Sequence, residues 1–154
     1  MIYDLAKLKR HRYSISFDGR DLGPLIGEPE IVIRCKRLEN RSFDPSASGD
    51  AGTGHATVTD ALATVTVATG NIGGALELLA DFSVGDDILA AARRHALVFI
   101  PPQGIGEKFL TFGNAWLLPE LEYAPKAENH AATLHFQARP DASGTLFTFA
   151  IQEY

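Results

Sequence analysis

The stretch Thr57–Thr69, TVTDALATVTVAT, constrains the rest of the chain most. It is rich in Thr and Val, whose branched side chains suit a pleated, half-buried surface. Val58 and Leu62 share one parity, whereas Val65 and Val67 take the other. Successive strand side chains point to opposite faces, so a change of parity within one run requires a β-bulge or a strand that passes between sheets. Gly70-Asn71-Ile72-Gly73-Gly74-Ala75-Leu76 then releases the chain into a short helix predicted over Ala75–Phe82. Asn71 is its expected N-cap, and Ile72, Leu76 and Leu79 recur at helical spacing. Gly73 and Gly74 weaken its first turn.

The flanking segments alternate in the same manner. Arg12–Asp18 places Tyr13, Ile15 and Phe17 on one face, and Asp18-Gly19-Arg20-Asp21 forms a tight turn. Glu30–Leu38 is expected to turn Ile31, Ile33 and Cys35 inward and Arg34 and Lys36 outward. A second short helix is predicted at Asp86–His95, with acids at its start and Arg93, Arg94 and His95 at its end, as the helix dipole favours. Ala96–Ile100 reads as a buried strand stopped by Pro101-Pro102. Lys108–Tyr123 reads as a long β segment with Leu110, Phe112, Trp116 and Leu118 of like parity and Pro119 at an edge or kink. Ala131–Arg139 sets Ala132, Leu134, Phe136 and Ala138 against Thr133, His135, Gln137 and Arg139. Pro140–Gly144 supplies a turn, and Thr145–Gln152 closes the chain with Phe147, Phe149 and Ile151 on one face.

About seven strands with one or two short helices specify a mainly β fold, an antiparallel sandwich or barrel with helical cover on one side. The expected organisation is a single domain over residues 1–154. Residues 1–10 form an arm or a frayed helical turn, and Asn40–His55, NRSFDPSASGDAGTGH, is a long projecting loop. Irregular segments of that length in compact domains are usually functional or mobile.

Composition narrows the function classes. A net charge of −5 argues against a general duplex-binding protein. Residues 1–37 hold eight Lys and Arg against five acids, a charge of +3 that leaves −8 on the remainder. Such poles favour head-to-tail association with copies of the same chain; scattered surface charge is the plainer alternative. Cys35 is the one cysteine, so there is neither an internal disulfide nor a thiolate metal cluster, and it is expected to be a buried small hydrophobe. The start of the chain lacks a signal-peptide core, and no apolar run reaches the roughly 18–20 residues that span a bilayer, so a soluble protein made in the cytosol is expected.

No motif points to catalysis. Gly70-x-x-Gly73-Gly74 is not a dinucleotide fingerprint, and no phosphate loop, nucleophile elbow or Cys-His signature is present. His130 and His135 are five positions apart, on opposite faces of a strand. No catalytic residue, cofactor or metal is therefore expected. Trp116 and Tyr123 suit either core or interface, with core favoured for aromatics in a β segment.

In order along the chain, four features resemble the bacteriophage tail tube proteins and the related tube subunits of contractile injection systems. They are the polar loop Asn40–His55 between long strands; Thr57–Thr69 followed by Asn71-Ile72-Gly73-Gly74-Ala75-Leu76-Glu77-Leu78-Leu79; Leu110-Thr111-Phe112-Gly113-Asn114-Ala115-Trp116; and Leu134-His135-Phe136-Gln137-Ala138-Arg139-Pro140-Asp141. The likeness spans residues 12–151. It implies a non-enzymatic virion subunit that forms rings, expected to be hexameric, which stack into a tube with DNA only as transiting cargo. Its partners would be copies of itself and other tail proteins, with no membrane. Within the long loop, Arg41, Phe43, Asp44 and Asp50 are the expected ring-to-ring contact. Asp86–His95 and Pro101-Pro102 depart from the pattern, so an adaptor or terminator of related fold stays open, as does a non-catalytic β-sandwich binding module.

Overall fold

The computed structural model describes residues 13–40, 55–101, 108–126 and 129–151. Asp18 and Gly19 both adopt positive φ, 53° and 68°, and Phe17 pairs directly with Arg20. Left-handed residues at both central positions match the twist of the flanking strands, giving a tight hairpin between β1 (Ser14–Phe17) and β2 (Arg20–Pro24). The remaining strands are β3 (Glu30–Asn40), β4 (His55–Thr69), β5 (His95–Ile100), β6 (Lys108–Lys126), β7 (Asn129–Ala138) and β8 (Thr148–Ile151). All pairings are antiparallel, in the order β2-β1-β5-β6-β7-β4-β3, with β8 paired to β6.

The sheet curls until the segment after β2 reaches the end of β4. Leu25, just beyond β2, bridges Thr69 of β4, and the Ile26 amide donates to the Ala68 carbonyl at 2.8 Å. Thr69 is the pin of this closure. Fully buried, its hydroxyl donates to the Leu22 carbonyl at 2.6 Å and accepts from the Asn71 amide at 3.1 Å. The expectation of a mainly β, antiparallel fold thus holds, and its form is one curled sheet bridged from the end of β2 to β4.

Inside lie Ile15, Phe17, Leu22, Val65, Val67, Leu97, Phe99, Phe112, Leu134 and Phe136, all nearly inaccessible. The alternation of β7 is borne out at every position: Ala132, Leu134, Phe136 and Ala138 are buried, and the residues between them less so. The helix α1 (Ile72–Ala80) covers the core with Ala75 and Leu78. Asn71 caps it as expected, its side-chain oxygen accepting from the Gly74 amide at 3.0 Å. A Cβ on Gly74 would sit 2.8 Å from Asn71 Nδ2, so the glycine that weakens the first turn also makes room for its cap.

Several expectations are corrected. The bulge in β4 is present, but it lies at Thr59: Lys36 pairs with Asp60 and the next residue, Arg37, with Val58. From Ala61 to Thr69 the buried parity never breaks. Val58 and Leu62 therefore do not share a face, because the extra residue lies between them. Asp86–His95 is not a helix; it is turns and a short 3₁₀ segment, Ala91–Arg93. Its end charges meet each other and the backbone: Arg93 Nη2 lies 2.8 Å from Asp86 and 2.9 Å from the Asp81 carbonyl, with its guanidinium 4.2 Å from the Phe82 ring centre.

In β6, Leu97 pairs with Phe112 and His95 with Ala115, so Gly113-Asn114 carries an extra residue. That insertion turns Ala115 and Leu117 into the core and Trp116 to the opposite face, against the predicted common parity of Phe112 and Trp116. Trp116 is nonetheless buried, with its indole N–H unpaired. Tyr123, for which core was favoured, is 46% exposed. A second irregularity, between Leu117 and Leu121, contains Pro119, as a proline in a long strand requires.

Candidate assembly surface

β3 is the outermost strand of the sheet. It pairs with β4 along its whole length, from Glu30 opposite Thr66 to Asn40 opposite His55, and no strand among the described residues pairs with its other edge. The partner changes along β4: its C-terminal residues Ala63–Thr69 pair with β7, whereas His55 to Leu62 pair with β3 alone. The hairpin thus runs out of the body as a two-stranded arm.

This arm is apolar where it should be wet. Ile33 is 42%, Leu38 62% and Val58 64% exposed, and Cys35 is exposed as well. The expectation that Ile33 and Cys35 are buried is corrected. They do share the parity of Ile31, which packs against the core, but the cover ends sideways at β4, where their partners Ala63 and Ala61 are buried while the edge strand is left bare. Val58, in register with Arg37 after the bulge, extends the same face. On the other face Val32, Arg34 and Lys36 are also exposed. An edge of eleven residues carrying exposed Val, Ile and Leu is the template that soluble monomers avoid.

Polar clasps fix the base of the arm. Arg139 forms an ion pair with Asp60 across β7 and β4, and its guanidinium beside Asp60 holds that carboxyl below the ordinary carboxylate value. His135 Nδ1 lies 3.2 Å from the Thr66 hydroxyl and its Nε2 3.9 Å from Glu122. After β7, the Asp141 carboxylate accepts from the Ser143 hydroxyl at 2.6 Å and from the Ser143 and Thr145 amides at 2.9 and 3.0 Å. These bonds, the Ser143 hydroxyl first, draw its carboxyl below the ordinary value. Gly144 completes the turn with φ 83°.

The predicted ring-to-ring residues Arg41, Phe43, Asp44 and Asp50 lie outside the described residues. Among the described residues no three of His, Cys, Asp or Glu are grouped to hold a metal ion, and no helix is long and apolar enough to cross a membrane. A cleft of about 80 Å³ lies between the end of α1 and β1 and β5, lined by Phe17, Asp18, Leu78, Asp81, Phe82, Arg93 and His95. Small-molecule sites typically enclose roughly 300–1,000 Å³; this one has the size of a side chain. Its Asp18 is 3.4 Å from His95 Nδ1. Sequence reasoning missed the exposed arm because its alternation is that of a half-buried strand.

No family model matches the chain, and no curated protein matches it in sequence. Among solved structures its fold is similar to a chain in the tail of an empty GTA particle, computed with helical refinement and C6 symmetry. The two superimpose with a TM-score of 0.52 over 92% of this chain and 96% of the other, at 12% sequence identity. The chain therefore has a mainly β fold of the kind found in a phage-like tail particle.

Proposed function

We propose that the protein is a structural subunit of a phage or phage-like tail, a one-domain brick that self-assembles into rings of six stacked as a tube for DNA passage. The observation that carries this reading is the β3 edge. A long, apolar strand with one side unpaired is stable in solution only if something completes it, and a copy of the same chain is the partner always at hand. A lateral contact between two different patches closes into a ring when its rotation closes, and a second contact along the axis, which does not close, stacks rings without limit. The C6 symmetry of the similar tail supports six copies.

The charge distribution favours the same reading. With −8 carried outside residues 1–37, carboxylates facing a central channel would repel phosphate and keep DNA mobile. Arg41, Phe43, Asp44 and Asp50 are proposed to join one ring to the next. The subunit would be made in the bacterial cytoplasm, act without a cofactor or catalysis, and end in the virion tail beside other tail proteins.

Electron microscopy and light scattering of the purified chain at rising concentration test this. Sixfold rings or tubes are expected. Rings that never stack would reassign the chain to an adaptor or terminator, and a monomer persisting at every concentration would refute self-assembly.

A further inference from the structure

The exposed face of the arm continues the core. Ile33 and Cys35 follow Ile31 on the side of the sheet that, in the body, is buried in the core. On β4 that side is still buried, at Ala61 and Ala63, but β3 is the outermost strand, and the helical layer packs on β2, β6 and β7. Elsewhere, that layer carries surplus apolar surface of its own: Leu76 on the outer face of α1, with Val84 and Leu89 in the turns after it, are all exposed.

The two surfaces are also opposite in charge. Residues 32–38 contain Arg34, Lys36 and Arg37 and no acid; residues 72–90 contain Glu77, Asp81, Asp86 and Asp87 and no base. Glu77 already pairs with Arg20 and Asp86 with Arg93, which leaves Asp81 and Asp87 without a cation among the described residues. No partner within the described residues meets Arg34, which is exposed, or the Asp81 carboxylate, which borders the small cleft at the end of α1. Apolar surfaces flanked by opposite charges associate in one orientation and disfavour like with like.

We propose that the apolar strip Ile33–Cys35–Val58 of one copy is covered by the helical layer of the next, Leu76 through Leu89, with Asp81 and Asp87 facing Arg34 and Lys36. The inference rests on the self-assembly reading and specifies its lateral contact.

Cys35, the one cysteine, is placed to report on this. In the full-length chain, its alkylation by N-ethylmaleimide is expected to slow at least tenfold when dilute monomer is concentrated into assemblies. A surface substitution, Val84→Cys, then places a second thiol on the opposing layer. A short bismaleimide is expected to join assembled copies of this variant into a ladder, with none from wild type or from dilute variant. Assemblies in which Cys35 reacts as fast as in monomer, or which give no ladder, overturn this contact while leaving self-assembly standing. Failure of wild type to assemble at all overturns both.

Discussion

Replacing Thr69 by Val tests whether the sheet is held closed by one hydroxyl. The substitution keeps the branched shape and strand preference but removes the group that donates to Leu22 and accepts from Asn71. Each lost hydrogen bond is worth about 1 kcal/mol net, and the buried carbonyl and amide left behind add desolvation, so the expected loss is about 2–3 kcal/mol. With a urea slope of about 2 kcal/mol/M, the unfolding midpoint falls by roughly 1 M. Thr69→Ser is the control: it keeps both bonds and loses one buried methyl, costing about 1 kcal/mol. Amide exchange adds locality, since the Ile26 amide, bonded to Ala68 beside the pin, should lose protection in the valine variant more than amides of β7. A valine variant as stable as the serine variant would show that closure does not depend on the hydroxyl.

Three further outcomes follow from the geometry. Asn71→Ala should cost about 1 kcal/mol as a lost cap. Gly74→Ala should add about 1 kcal/mol of helix preference in that background yet almost nothing in wild type, where its Cβ would displace the Asn71 side chain; additive effects in urea melts would contradict this. For Asp141 and Asp60 the folded-state pKa lies below 3.8, so their stabilisation is complete above the unfolded value and is lost as pH falls through the folded one. NMR titration should accordingly show the Ser143 and Thr145 amides of the 141–145 turn loosening only at pH below 3.8, and a midpoint at or above that value would contradict the assigned bonds. Ile33→Lys, at a half-exposed edge position, should change folding stability by no more than about 0.5–1 kcal/mol while abolishing concentration-dependent assembly in light scattering; normal assembly would remove β3 from the interface.

Where one face of a strand meets the core along its whole length, local pattern sufficed. β7 is such a strand, and so is the hairpin at Asp18-Gly19, whose turn residues determine their own backbone. The parity change in Thr57–Thr69 was a true sign of a bulge, but side-chain type alone misplaced it, because Leu62 on the outer face is as apolar as the residues of the core. The common parity expected for Phe112 and Trp116 ran straight through Gly113, although a glycine within a strand often marks the kind of bulge that turns Trp116 away. Asp86–His95 has the end charges of a helix, yet Asp86 spends its carboxylate on the Ser83 amide and Arg93. Burial of β3 was illegible for a different reason: alternation tells which residues share a face, whereas whether that face is covered depends on the strand's place in the sheet, and β3 is outermost.

The double pairing of β4 has a mechanical consequence. Its inner half is laced to both β7 and β3 and its outer half to β3, so a pull on the tip of the arm runs along the strand axis. Ladder bonds perpendicular to that axis are strained together under such a load, whereas a force across the sheet would open them one by one. Whatever tension reaches the arm from outside is thus delivered in shear to the middle of the folded body, where the ladder is deepest.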